Sequence, residues 1–120
     1  MWEVEYTDEF GAWWGELTSG EQEVVRVIVD QLVERGPHLE FPLSSSVRGS
    51  RFGVMRELRA QYRGRPYRVL YAFDPRRTAI LLLGGDKTGD DRWYSVNVPL
   101  ADDLFGEHLL SLKREGGSDG

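Results

Sequence analysis

The opening residues Trp2-Glu3-Val4-Glu5-Tyr6 alternate apolar and acidic, the period of a half-buried strand. The period then lengthens. Phe10, Trp13, Trp14 and Leu17 recur at helical spacing, which predicts a short helix from the capping residues Thr7 and Asp8 through Leu17. Adjacent Trp13 and Trp14 point about 100° apart on such a helix, so either one lies in the core and the other serves as an aromatic anchor for a partner, or both pack beneath the second and last helices. Ser19-Gly20-Glu21-Gln22 fits a capping box, the Ser19 hydroxyl and the Gln22 side chain serving each other's backbone donors. A second helix should follow to about Arg35. Its apolar stripe (Val24, Val25, Val27, Ile28, Val29, Leu32, Val33) is broad enough to lie on a sheet, and Gly36-Pro37 stops it.

Residues 36–53, GPHLEFPLSSSVRGSRFG, break both periods and read as a loop. A loop of this length in a compact domain is more often functional than idle. Alternation returns from Val54 to Tyr62, with Val54, Arg56, Leu58, Ala60 and Tyr62 on one face and Met55, Glu57, Arg59 and Gln61 on the other. Arg63-Gly64-Arg65-Pro66 is a turn, Tyr67 to Asp74 a second strand, and Asp74-Pro75-Arg76-Arg77 another turn. Thr78 to Leu83 is a continuous apolar strand, buried on both faces or nearly so. Trp93 to Val98 reads as a short final strand, and Pro99 to about Lys113 as a helix with Leu100, Leu104, His108 and Leu112 along one face. The order predicts an α+β fold with helices packed on one face of a small antiparallel sheet. Residues 1–113 form a single domain in this reading and 114–120 a disordered tail.

Composition narrows the classes. At 120 residues, with 40% hydrophobic, 29% charged and 12% aromatic side chains, the chain is globular rather than disordered. It has no cysteine, which excludes disulfides and thiolate metal sites. The acidic N-terminus lacks the basic and apolar regions of a signal peptide, and no apolar run approaches the ~20 residues of a spanning helix. A cytoplasmic protein with no membrane partner is expected.

The net charge of -5 hides an asymmetry. Residues 1–45 carry 2 basic and 10 acidic side chains, residues 46–95 carry 11 and 5, and residues 96–120 carry 2 and 5. The cations concentrate in MRELRAQYRGRPYRVLYAF, residues 55–73, on what reads as a strand, a turn and a second strand. Such a split fits a local anion site, and equally an uneven solvated surface.

Candidate chemistry is sparse elsewhere. His38 and His108 belong to no ligand-spaced cluster, so no metal and no cofactor is expected. Asp90-Asp91 and Asp102-Asp103 read as turn and helix-start charges. Gly84-Gly85-Asp86-Lys87 lacks the full phosphate-loop spacing. What remains is arginine and aromatic. An antiparallel hairpin can bring Arg59 and Arg68 together on one face, which helices on the other face would leave open. Lys87 ends the neighbouring strand, and Trp93 and Tyr94 follow. Cations beside flat rings suit RNA; an Arg59–Glu57 or Arg56–Glu57 surface network of small worth is the alternative.

The ordered series Met55-Arg56-Glu57-Leu58-Arg59, Gly64, Tyr67-Arg68-Val69-Leu70-Tyr71 and an apolar strand ending at Asp86-Lys87 resembles the RelE/ParE superfamily of bacterial toxins, most closely its HigB-like, phage-derived branch. Trp13, Leu17, Gly36-Pro37 and Ala101-Asp102 also fit, so the resemblance spans roughly Trp2 to Leu112. It implies a RelE-like fold, two N-terminal helices packed on a small curved antiparallel sheet with a C-terminal helix. It implies a type II toxin acting as a ribosome-dependent mRNA endoribonuclease without metal. Its partners would be the ribosome, mRNA and a cognate antitoxin, commonly of helix-turn-helix type. The alternatives are a toxin that binds a protein such as DNA gyrase, or a degenerate antitoxin-binding module.

Carried over by position, Arg59, Arg68, Lys87 and Tyr94 match the catalytic set, with Trp93 a possible substitute aromatic. Glu57 stands where RelE members have lysine. RNA cleavage by the neighbouring 2′-hydroxyl needs a base, cations for the phosphorane charge and an acid for the leaving 5′-oxygen. Arg59 and Arg68 suit the charge; Glu57 or Tyr94 is the candidate base and Lys87 the candidate acid. Arg48, Arg51, Arg56 and Trp93 are the remaining candidate RNA-binding residues, and the antitoxin is expected either to lay acidic or extended segments against Arg48, Arg51, Arg59 and Arg68 or, the preferred mode, to clamp the two N-terminal helices.

Overall fold

The Thr7 hydroxyl accepts the Phe10 amide hydrogen at 3.0 Å and starts α1 (Asp8–Glu16). Thr18 caps α2 (Ser19–Arg35) in the same way. The capping box is real but lies one residue earlier than expected: Thr18 pairs with Glu21 rather than Ser19 with Gln22. Gln22 instead donates its side-chain amide to the Trp14 carbonyl at 2.9 Å, tying the two helices together.

The computed structural model describes residues 1–117. Its sheet has five strands: β1 (Val4–Tyr6), β2 (Ser44–Ser46), β3 (Arg56–Tyr62), β4 (Arg65–Phe73) and β5 (Ala79–Asp86), in the order β1-β5-β4-β3-β2. The sheet is mixed, not wholly antiparallel as expected, because β1 runs parallel to β5. The N-terminal strand forms one edge of the sheet, with Val4, Glu5 and Tyr6 beside Ala79, Ile80 and Leu81. β2 was hidden in the serine run of the expected loop. It pairs antiparallel with β3, Ser45 opposite Glu57. Arg63 and Gly64, both at positive φ (52° and 77°), join β3 to β4 through the two-residue turn that matches strand twist.

The larger correction concerns residues 93–98. They are the first turns of α3 (Trp93–Gly117), not a strand. Asp90 starts this helix, its carboxylate accepting from the Arg92 amide at 3.0 Å and its carbonyl from the Trp93 amide at 3.3 Å. Trp93, Tyr94, Val96 and Val98 favour strands intrinsically, but packing outweighs so weak a preference. Pro99 lies inside the helix; it removes one backbone donor, whose acceptor on exposed Ser95 is within reach of water. The helix includes residues 114–117 of the expected tail, while 118–120 lie outside the described residues.

Because α3 packs on the sheet, both faces are covered, not one. The first core joins Phe10, Val25, Ile28 and Leu32 of the N-terminal helices to Leu58, Val69, Tyr71, Ala79 and Leu81. The second joins Leu70, Ala72, Ile80 and Leu82 to Trp93, Val98, Ala101 and Phe105 of α3. Each Val, Leu, Ile or Phe among them, fully buried, contributes about 1.5–3 kcal/mol. Gly84 and Gly85 explain how tryptophans reach the end of β5 on opposite faces. A Cβ on Gly84 would lie 2.2 Å from Trp13, and one on Gly85 2.5 Å from the Trp93 indole nitrogen.

Trp13 and Trp14 do not divide into one core residue and one free anchor. Both are half-buried against the first core. Trp14 stacks on Phe10 with ring centroids 6.4 Å apart and carries the Arg26 guanidinium 5.7 Å from its ring.

Candidate functional site

In the β3–β4 register Arg59 stands directly opposite Arg68, and Glu57 is two residues earlier on the same face. α3 packs over β4 and β5 on that face, and its first turn places Tyr94 against Glu57. The Tyr94 hydroxyl donates to Glu57 Oε1 at 2.6 Å. The Ser45 hydroxyl donates to Oε2 at 2.7 Å, and Arg59 donates to the same oxygen at 3.2 Å. Arg68 Nε lies 3.5 Å from Oε1, close enough for charge attraction. Its geometry makes no hydrogen bond, so this buried nitrogen keeps a free donor. Arg68 is only 6% exposed and Glu57 only 5%.

A buried carboxylate needs this company, since an unpaired buried charge is costly. Three hydrogen-bond donors and one further cation leave little of its acceptor capacity unused. Burial pushes the Tyr94 hydroxyl pKa up, and its hydrogen bond to Glu57 adds to the rise. Tyr94 therefore remains protonated at neutral pH and serves as a donor. The Lys87 ammonium lies 5.8 Å from the Tyr94 ring centroid. Ser46, Val47, Arg48, Glu57 and Tyr94 line a cleft of about 350 Å³, with Arg48 exposed at its rim.

Glu57, Arg59, Arg68, Lys87, Tyr94 and Arg48 thus form one neighbourhood. Two other sequence candidates lie elsewhere, and Trp93, though its ring packs on Tyr94, is sealed from the cleft. Arg56 projects from the opposite face, donating to Ser44 Oγ at 3.1 Å and to the Leu39 carbonyl at 3.4 Å. Arg51 turns to α3, where its guanidinium pairs with Asp103 at 3.1 Å and its amide donates to Asp102 at 2.9 Å. Trp93 is 4% exposed, sealed against Gly85. Ser45 was missed by sequence reasoning. Its only signal is its register opposite Glu57, invisible until β2 is recognised as a strand.

His108 belongs to a separate cluster, its Nε2 2.8 Å from Asp74 Oδ2. Among the described residues no three His, Cys, Asp or Glu side chains gather as a metal ion would require, and no helix is long and apolar enough to cross a membrane.

Residues 12–106 match the family described as phage derived protein Gp49-like (DUF891). HigB2 and HigB3 of Mycobacterium tuberculosis, both named as candidate toxins, are each 42% identical over 88% of this chain. The chain spans about half the length of HigB2 (54%) and 90% of HigB3. Among solved structures, the isolated E. coli RelE toxin superposes with a TM-score of 0.58 at 14% identity, covering 81% of this chain and 96% of RelE. The E. coli RelBE toxin–antitoxin complex gives a TM-score of 0.55 at 16% identity, covering 71% of this chain and 95% of that chain. Such low identities establish the shared fold, while the family match and the HigB identities establish kinship. The chain belongs to the phage-derived Gp49-like family, is related to HigB2 and HigB3, and shares the RelE fold.

Proposed function

We propose that this protein is the toxin of a type II toxin–antitoxin pair and cleaves mRNA on the ribosome without a metal ion. The observation that carries the reading is Arg68. Its Nε is buried without a hydrogen bond beside a cleft, next to a second arginine and a carboxylate shared with a phenol. Buried donors of structural arginines are in most cases satisfied. A guanidinium fixed beside Arg59 and Glu57 with its hydrogen bonding incomplete is placed to hold phosphate charge once the Glu57 network opens.

Glu57 is the base in this mechanism and Tyr94 is not, because the Tyr94 phenol is held protonated and already points its hydrogen at Glu57. With so many donors on Glu57, a 2′-hydroxyl must displace one of them. Arg59 is the partner best able to leave: its side chain is 29% exposed, against 7% for Arg68. When Arg59 swings to the scissile phosphate, Glu57 Oε2 is freed to accept the 2′-hydroxyl proton. The resulting oxyanion attacks phosphorus, Arg59 and Arg68 hold the phosphorane charge, and Lys87 protonates the departing 5′-oxygen. The product ends are a 2′,3′-cyclic phosphate and a 5′-hydroxyl. Tyr94 and Ser45 keep Glu57 aimed throughout. The cognate antitoxin silences this site in the resting cell, and the protein acts in the cytoplasm.

The test is to induce the chain in growing cells and map mRNA 5′ ends, then repeat with purified translating ribosomes. New 5′-hydroxyl ends within codons, absent with Glu57→Gln, are the expected result. Growth arrest with intact mRNA would favour a protein target such as gyrase instead, and normal growth would favour a degenerate antitoxin-binding module.

A further inference from the structure

RNA cleavage in a cleft requires the bases flanking the phosphate to be held as well. Trp93, the aromatic that the sequence placed beside the cations, is buried and offers no open ring face. The ring that is open lies in the loop before β2. Phe41 is 70% exposed, and the Arg59 guanidinium sits 5.1 Å from its ring centroid. Arg59 also donates to Glu57, so one side chain links this ring directly to the cleft.

We propose that Phe41 is a nucleobase platform, stacking an unstacked base of single-stranded RNA next to the phosphate that Arg59 and Arg68 hold. The inference rests on the RNA-cleaving reading above and assigns the base subsite that this reading lacks. An exposed phenylalanine alone would carry little, since single apolar side chains are common on surfaces. Two features single this one out. The first is position. Among the large exposed apolar residues described, only Phe41 and Tyr6 are aromatic. Tyr6 lies on β1, at the opposite edge of the sheet from β2, against an apolar groove of Phe10, Trp14 and Val29. Phe41 alone adjoins the catalytic cations.

The second feature is rigidity. The Glu40 carbonyl accepts from the amides of Leu43 and Ser44, both at 3.0 Å, and fixes the turn that carries the ring. The Leu43 carbonyl accepts from the Arg59 amide at 2.9 Å, locking the same turn to β3. A platform held in place loses little entropy when a base settles on it. A flat ring offers a base a stacking surface, which is tolerant of base identity. When Arg59 moves to the phosphate, the ring face it covers is released to the neighbouring base. One side-chain movement would then free Glu57, engage the phosphate and open the platform.

The experiment uses ribosomes programmed with an mRNA carrying 2-aminopurine in the aminoacyl-site codon. A 2′-O-methylated copy reports binding without cleavage, through fluorescence, and an unmodified copy reports the single-turnover cleavage rate. Phe41→Ala is expected to lose the stacking signal and to weaken binding on the order of ten- to a hundredfold, the effect of removing one base–aromatic stack. Phe41→Trp should retain both signals. Phe41→Leu keeps apolar bulk without a flat ring and should behave like Phe41→Ala, with the melting temperature near that of the parent in each case.

Full activity of Phe41→Leu would overturn the platform, since bulk alone would then suffice. So would unchanged binding by Phe41→Ala, which would mark the ring as a contact for a protein partner. If the parent protein cleaves and Phe41→Ala cleaves equally well, the subsite falls while the enzymatic reading stands. If the parent neither binds nor cleaves, both fall together.

Discussion

The two faces of the sheet are built from the same strands and end differently. Under α1 and α2 the face is apolar from Leu58 and Val69 to Ala79 and Leu81, with Arg56 and the Ser44 and Tyr71 hydroxyls paired at its β2 end. Under α3 it is apolar only as far as Trp93. Tyr94, the next residue, reaches a buried carboxylate, and beyond it lie Arg59 and Arg68. The boundary between core and cleft is one residue wide. A helix that begins over the middle of a sheet leaves strand ends uncovered, and a fixed cation there must be stabilised by its neighbours. Glu57 does this for two arginines at once.

The comparison breaks most sharply at Arg68. Arg68→Ala should reduce cleavage and growth inhibition about a hundredfold or more, the usual cost of removing a transition-state cation. Glu57 keeps Tyr94, Ser45 and Arg59, so the fold should survive. Circular dichroism melting beside the toxicity assay checks this. A variant that no longer folds would make Arg68 a structural residue and sink its catalytic assignment.

Gly84 and Gly85 sharpen the contrast, because one added methyl strikes a different face at each. Gly84→Ala drives a Cβ against Trp13 on the sealed face, and Gly85→Ala against Trp93 beside the cleft. Overpacking of this kind costs about 1–3 kcal/mol. Gly84→Ala should lose stability with activity retained in the folded fraction. Gly85→Ala should also misplace Tyr94 and lose activity beyond its loss of stability. Denaturant titration paired with rates per folded molecule would separate the two, and equal effects would show that the faces are not independent.

That pair also shows what the sequence could reveal. Alternation in residues 54–62 displayed Glu57 and Arg59 on one face, and pairing with the next strand then brought Arg68 to that face. This local signal made the centre of the site legible. Lys87 and Tyr94 stood out by their place after the neighbouring strand and took their expected roles from the family resemblance; the structure sets Tyr94 on Glu57 and Lys87 beside the Tyr94 ring. Illegible were features decided by distant packing. Residues 93–98 favour strand, yet their burial against β4 and β5 makes them helix. With that error went the expectation of an open face and of Trp93 as an exposed ring. β2 gave no period because three serines have none, so Ser45 went unnoticed. Arg51 looked like a free cation until α3 delivered Asp102 and Asp103.

A smaller effect should appear with pH at the rim of the sealed face. Tyr67 donates a hydrogen bond to Glu21, which with the Thr18 amide lowers the Glu21 pKa to about 2 from 4.5. Burial, and then this same bond, raises Tyr67 to about 12 from 10.0. The depressed carboxyl contributes stability above pH 4.5 that is lost as pH falls toward 2. The raised phenol contributes stability below pH 10.0 that is lost as pH rises toward 12. Tyr67→Phe should therefore flatten both limbs of a melting-temperature profile. Limbs as steep as the parent's would mean that other groups carry the pH dependence.

The smallest expected effect is at Arg51. Its guanidinium pairs with Asp103 across the loop–α3 contact, but the two side chains are 58% and 65% exposed. Exposed pairs contribute about 0–1 kcal/mol, because water screens the attraction and ordering two side chains costs entropy. The stronger link there does not involve the guanidinium. The buried Asp102 carboxylate accepts from the Arg51 amide at 2.9 Å and from the Ser50 hydroxyl at 2.5 Å. Arg51→Ala preserves both bonds, so stability should change by less than about 1 kcal/mol and cleavage should stay near the parental rate. Asp102→Ala removes both acceptors from a buried position and should cost more, about 1–3 kcal/mol. Denaturant midpoints for the two variants, measured with their cleavage rates, give the ranking. A loss of activity in Arg51→Ala without loss of stability would return this arginine to the RNA path and extend the cleft along α3.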